Sequence, residues 1–145
     1  MIQQYLPQKI TRFKISQPDD AHAVYNGAFQ LATSRCRSWI HLDPGNNFAG
    51  VLFLTPDAPV SAGTGFYKFH DGKMGLEDQA IMNNKIQTDM FSQDMTKWQL
   101  VDQVGNVFNR LVLFDSTKFH MSLDYFGCCK EDGRIFQVFF FDVEK

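Results

Sequence analysis

The stretch IFQVFFFD at residues 135–142 has one of the two strongest strand patterns in the chain, because it is dense in β-branched and aromatic residues. The other is NRLVLF at residues 109–114. Weaker strand patterns, separated by Pro, Gly, Asn and Asp, occupy residues 11–16, 37–41, 48–55, 66–70 and 98–104. Short strands at regular spacing favour an antiparallel sandwich or barrel. We predict an all-β dominated (α+β minor) fold, a double-stranded β-helix or jelly roll with one or two short helices.

Two segments of the chain lack the strand pattern. Asp19 and Asp20 precede an apolar run and predict a capped helix that extends to about Leu31. Residues 76–89 are interpreted as helical, as an insertion over the functional site. The sequence has no internal repeat, low-complexity tract or linker rich in Pro, Gly or Ser. Residues 1–145 are therefore predicted to form a single jelly-roll domain.

Charge and cysteine content restrict the class of protein. The 14 basic and 16 acidic residues give a formal net charge of −2 without a basic stripe, so we expect no nucleic-acid partner. No apolar run is long enough to cross a membrane, and the N-terminus has no signal-peptide pattern. The three cysteines, Cys36, Cys128 and Cys129, are interpreted as reduced thiols, which favours a cytoplasmic location.

The triplet His41-Leu42-Asp43 carries the clearest chemical signal in the sequence. Residues at i and i+2 of a strand project from the same face. Two imidazoles and one carboxylate hold a non-haem Fe(II) on one side and leave the other side open, so a distant histidine, His120, is the candidate third ligand. Arg134 follows fourteen positions later, and its guanidinium can pair bidentately with a carboxylate.

This order of residues resembles the 2-oxoglutarate/Fe(II)-dependent dioxygenases of the prolyl-hydroxylase-like kind. Their motif is His-X-Asp, a distant His, and an Arg or Lys shortly beyond it, and the resemblance covers residues 35–143. A small, poorly characterised branch of that superfamily is similar in the segments FAGVLFL (48–54), GTGFY (63–67), NRLVLF (109–114) and GRIFQVFFF (133–141).

The resemblance implies that His41, Asp43 and His120 bind Fe(II) and are catalytic, and that Arg134 pairs with the distal carboxylate of 2-oxoglutarate. It implies an oxidoreductase that uses O2 to hydroxylate a small molecule, an amino acid or a residue of a peptide or protein, with release of succinate and CO2. A carboxylate ligand at Asp43 argues against a halogenase, in which a small residue leaves room for halide.

The chain departs from this family in two respects. Many members carry a serine two positions after the arginine, where this chain has Phe136; Tyr67, Tyr125 or Gln137 are the candidates to replace its hydroxyl. Relatives also have more structure before the motif, so an outer element is missing or supplied by a second subunit in a homodimer. The alternative to an oxygenase is a catalytically degenerate metal-binding jelly roll that serves as a binding or assembly module.

Overall fold

A computed structural model describes residues 2–14, 26–43, 45–70 and 93–144. Regular structure in these ranges is almost entirely antiparallel β-sheet, as the sequence predicts, with two short 3₁₀ helices at Ile2–Tyr5 and Met95–Lys97. The eight strands are β1 (Ile10–Phe13), β2 (Phe29–Ala32), β3 (Phe48–Phe53), β4 (Thr64–Phe69), β5 (Trp98–Val104), β6 (Leu111–Asp115), β7 (Phe119–Ser122) and β8 (Arg134–Val143). No helix within the described ranges is long and apolar enough to cross a membrane.

The strands form two sheets. The larger sheet has the order β1-β8-β3-β6, and β2 also pairs with β8; the smaller has the order β5-β4-β7. The ten-residue strand β8 pairs with three strands of the larger sheet, in agreement with its strong strand pattern in the sequence. Strand β7 is important for the site because it lies at one edge of the smaller sheet and also forms a bridge to His41.

Side chains from both sheets meet in one apolar core. Phe66 of the smaller sheet packs edge-on against Phe114 of the larger one, with 5.2 Å between ring centroids. Tyr67 follows Phe66 in β4 and belongs to a second cluster with Ile40, Phe69 and Trp98. Since successive residues of a strand point to opposite faces, the second cluster covers the face of β4 that the first does not.

Two segments of the described chain differ from the sequence-based expectation. The helix predicted to extend to Leu31 is wrong at its end, because Phe29–Ala32 pairs with residues 134–137 of β8, and sheet pairing outweighs a local helical pattern. The strand predicted at residues 37–41 is reduced to a single bridge at His41. The start of the predicted helix and the helical segment at residues 76–89 lie outside the described residues.

Candidate active site

The backbone brings His41 and His120 together. The amide of each residue donates to the carbonyl oxygen of the other, and both N–O distances are 3.0 Å. A reciprocal pair of this kind sets the two Cα atoms about 5.5 Å apart. The two imidazole rings consequently lie side by side, with 4.4 Å between their centroids.

Asp43 completes a cluster of three potential ligands. Its amide donates to the carbonyl of Ser116 over 3.1 Å, which fixes the backbone two residues beyond His41. One carboxylate oxygen lies 3.3 Å from Nε2 of His120 and the other lies 3.8 Å from Nε2 of His41. One ligand atom from each of the three side chains can be chosen so that all lie within 4.8 Å of one another.

Both imidazoles are oriented by backbone carbonyls. Nδ1 of His41 lies 2.9 Å from the carbonyl oxygen of Trp39, and Nδ1 of His120 lies 2.9 Å from that of Lys118. Because a carbonyl can only accept, each Nδ1 carries the proton, and Nε2 of the neutral ring keeps a free lone pair. Metal-binding histidines are commonly oriented in this way by their second nitrogen.

Burial, followed by the nearby His120, lowers the pKa of His41. A lower pKa favours the neutral imidazole, which is the form that binds a metal ion.

The donor set fits a divalent transition-metal ion. Two ligands about 2.1 Å from one ion at a right angle lie about 3.0 Å apart. The separations from the Asp43 carboxylate, 3.3 and 3.8 Å, are slightly wider than this value, so a small side-chain rotation suffices for coordination. Two nitrogens and one oxygen on one side of the ion suit Fe(II) with open positions opposite.

Arg134, the first residue of β8, is buried without an acidic partner. It is only 1% exposed, and no carboxylate of the described residues lies within 4.0 Å of its guanidinium. The guanidinium donates to the Ser122 hydroxyl and, over 3.4 Å, to the carbonyl of Gly63, while Nε has no hydrogen-bond partner. Burial lowers the pKa of Arg134 to about 10, against the opposing influence of Tyr125 and Asp124.

Three aromatic rings surround the guanidinium of Arg134. Its Cζ lies 4.8 Å from the ring centroid of Phe136, 5.4 Å from that of Tyr125 and 5.5 Å from that of Phe53. Such contacts stabilise a cation but do not neutralise it. A buried, unpaired cation is costly, so the site as it stands favours binding of an anion.

One cavity of about 340 Å³ is lined by two polar groups, the histidine cluster and the arginine with its serine partner. Its lining includes His41, Asp43 and His120, together with Arg134 and Ser122. The rest of the wall is largely apolar and includes Val51, Phe114, Phe136, Val138 and Phe140. The half-exposed Trp39 also lines this cavity, with its ring 6.0 Å from that of His41. The three potential metal ligands and the buried arginine therefore share one largely apolar space.

The structure brings only one of the three proposed replacements for the missing serine to this cavity. Tyr125 lines it, whereas Gln137 donates to the carbonyl of Gly27 over 2.8 Å. Residues 134, 136 and 138 line the cavity, so residue 137 points to the opposite face of β8. Tyr67 packs in the second apolar cluster, on the far side of β4. Of the three candidates, Gln137 and Tyr67 therefore lie outside the lining of the cavity that contains Arg134.

The hydroxyl beside Arg134 comes instead from Ser122, which the sequence analysis missed. His120 and Ser122 are at i and i+2 in β7, so both side chains face the cavity. The sequence analysis assigns no strand to the segment around His120, so this spacing was not recognised. Placing His120 inside a strand would have identified Ser122 as its neighbour on the same face.

Comparisons with known protein families, with curated proteins and with solved structures find no match to this chain. The functional argument therefore depends on the residues of the cavity.

Proposed function

We propose that this protein is a 2-oxoglutarate-dependent non-haem iron dioxygenase that hydroxylates a small molecule, an amino acid or a residue of a peptide or protein. The observation that carries the proposal is the pairing, in one cavity, of the His41, Asp43 and His120 cluster with the buried, unpaired Arg134. A cation site beside an unneutralised arginine favours a ligand that binds a metal ion and also carries a free carboxylate. 2-Oxoglutarate has both properties.

The three metal-binding residues would hold Fe(II) through two neutral nitrogens and one carboxylate oxygen. Fe(II) with 2-oxoglutarate supplies the activation of O2 that hydroxylation requires. The carbonyls of Trp39 and Lys118 keep both Nε2 atoms directed at the ion, and Asp43 contributes the negative charge. Because Asp43 is a carboxylate, the proposal is hydroxylation and excludes halogenation.

Arg134 and Ser122 would hold the distal carboxylate of 2-oxoglutarate. The distal carboxylate of the dianion would be the anionic partner that the guanidinium lacks among the described residues. A charge-assisted hydrogen bond in a largely apolar cavity is stronger than one in water. His120 and Ser122 are separated by about 7 Å along β7, a length that a five-carbon dicarboxylate spans. Phe136, Val138 and Phe140 contribute apolar wall that limits the access of water.

The proposal includes a jelly-roll architecture, supported by two antiparallel sheets whose facing side chains form the core. It also includes a reducing, cytoplasmic setting, supported by three exposed free thiols. A homodimer is part of the same proposal.

Turnover of 2-oxoglutarate tests the proposal. We expect succinate to form in the presence of Fe(II), O2 and 2-oxoglutarate, and to fall to background in His41→Ala. The matched control is His70→Ala, because His70 is an exposed histidine at the end of β4 that does not line the cavity. Equal succinate production by wild type and His41→Ala would refute the assignment.

An anaerobic titration separates the oxygenase from the alternative, a metal-binding module without turnover. We expect a visible charge-transfer band when Fe(II) and 2-oxoglutarate are added together, and none when either is omitted. Folded protein that binds Fe(II) without this band would support the binding module and contradict the oxygenase.

A further inference from the structure

The loop between β7 and β8 holds a second cluster of potential metal ligands, distinct from the cavity. Cys128, Cys129 and Asp132 lie on the exposed surface, and one ligand atom from each can be chosen within 4.8 Å of the others. The Cys128 sulfur is 3.4 Å from one oxygen of Asp132, and the Cys129 sulfur is 3.3 Å from the other. All three cysteines of the chain are free thiols, so both sulfurs are available.

We propose that this loop binds a thiophilic divalent cation of the Zn²⁺ and Cd²⁺ class through Cys128, Cys129 and Asp132. A thiolate about 2.3 Å and a carboxylate oxygen about 2.0 Å from a tetrahedral ion lie about 3.5 Å apart. The two observed sulfur–oxygen separations, 3.4 and 3.3 Å, are close to this value. These two separations are therefore compatible with the binding of one tetrahedral ion by the three groups.

The backbone of the loop holds this arrangement in place. The amides of Cys128 and Cys129 donate to Oδ1 of Asp132 over 2.8 and 2.9 Å. Gly127 has φ +77°, and a Cβ there would lie 2.2 Å from the carbonyl oxygen of Asp132, so only glycine fits. Hydrogen bonds from Cys129 and Cys128 lower the pKa of Asp132 to about 2, which keeps its carboxylate ionised.

Sulfur ligands distinguish this loop from the histidine cluster. Two thiolates select a soft or borderline ion such as Zn²⁺, whereas imidazole and carboxylate accept Fe(II). Hydrogen bonds to the carboxylates of Glu131 and Asp132 raise the pKa of the Cys129 thiol, so binding must displace its proton. The alternative use of adjacent cysteines, a disulfide, is geometrically strained.

Cd²⁺ titration of the reduced full-length protein tests the proposal. We expect an ultraviolet thiolate-to-Cd²⁺ charge-transfer band that saturates at one ion per chain. The histidine cluster cannot produce this band because it contains no sulfur. We expect the band to be lost in the double variant Cys128→Ser/Cys129→Ser and binding to weaken in Asp132→Asn. The matched control is Cys36→Ser, whose thiol is also exposed but contacts only Thr33 in the part of the chain described.

Three outcomes would overturn the proposal: no band while three thiols remain titratable, a band that disappears in Cys36→Ser, or a band that forms only as the protein dimerises in size-exclusion chromatography. Far-UV circular dichroism of the double variant checks its fold. None of these outcomes bears on the proposed oxygenase, because succinate formation depends on the cavity.

Discussion

The two polar groups of the cavity, the histidine cluster and Arg134, differ in charge and in the kind of ligand that each could bind. The cluster of His41, Asp43 and His120 presents lone pairs and a negative charge, whereas Arg134 presents hydrogen-bond donors and a positive charge. The Asp43 carboxylate lies against the two imidazoles, so within the described chain it does not neutralise the arginine. Each group is therefore complementary to a ligand from outside the chain, one a cation and the other an anion.

Exposure separates the two groups further. The His41 side chain is 37% exposed and that of Asp43 is 17% exposed, so part of the histidine cluster contacts solvent, whereas Arg134 is 1% exposed and retains a buried Nε without a partner. Within the described residues, the free energy cost of burying a charge is therefore greatest at Arg134. Substitutions at the two groups should accordingly have different effects on binding and on stability.

The largest effect is expected at the histidine cluster. His120→Ala removes one of the three proposed ligands, and we expect the affinity for Mn²⁺, measured by electron paramagnetic resonance, to fall by about 100-fold or more. His70→Ala, outside the cavity, should leave the affinity unchanged. Unaltered Mn²⁺ binding by folded His120→Ala would show that the ion binds elsewhere.

Arg134→Met should separate anion binding from metal binding. We expect 2-oxoglutarate binding in the presence of Mn²⁺, measured by calorimetry, to weaken by about 2–5 kcal/mol, with Mn²⁺ affinity retained. Because the substitution removes an unpaired buried charge, unfolding of the ligand-free variant should require as much free energy as the wild type, or more. A variant that loses stability but binds 2-oxoglutarate normally would assign the arginine a structural role.

Ser122→Ala is expected to have a smaller effect. The Ser122 hydroxyl contacts the guanidinium and lines the cavity, so its loss removes one hydrogen bond from a charged site. We expect the Kd for 2-oxoglutarate to rise about tenfold. Ser122→Thr keeps the hydroxyl and serves as the control; an equal loss in both variants would point to packing and not to hydrogen bonding.

The smallest effect is expected on the opposite face of β8. Gln137→Ala should leave the Kd for 2-oxoglutarate unchanged and lower the free energy of unfolding by about 1 kcal/mol, because only its bond to Gly27 is lost. Chemical denaturation measures the second quantity. Weakened 2-oxoglutarate binding in Gln137→Ala would contradict the assignment of the faces of β8.

The sequence predicts local features of this protein better than pairings between distant segments. The strand at residues 98–104 coincides with β5, and the two strongest patterns correspond to β6 and β8, because alternation and β-branched content are local properties. The prediction of a helix up to Leu31 is wrong at its end because β2 is stabilised by pairing with β8. These two strands are about 100 residues apart, so a short stretch of sequence does not show their pairing. The strand predicted at residues 37–41 is also wrong, because within this segment only His41 forms a bridge, and its partner His120 is distant in sequence.

The same distinction applies to the cavity. Residue type and order, together with the family resemblance, singled out His41, Asp43, His120 and Arg134, which the structure places in one cavity. Ser122 could not be paired with Arg134, because their contact depends on how β7 and β8 lie in different sheets. Alternation within β8, in contrast, was readable from the sequence and would have excluded Gln137.

A crystal structure with Mn²⁺ and 2-oxoglutarate tests the central claim most directly. We predict one ion bound by Nε2 of His41, Nε2 of His120 and the Asp43 carboxylate, with 2-oxoglutarate on the same ion. Its distal carboxylate should lie within hydrogen-bond distance of Arg134 and Ser122. An ion bound elsewhere, or a dicarboxylate that leaves Arg134 unpaired, would contradict the account.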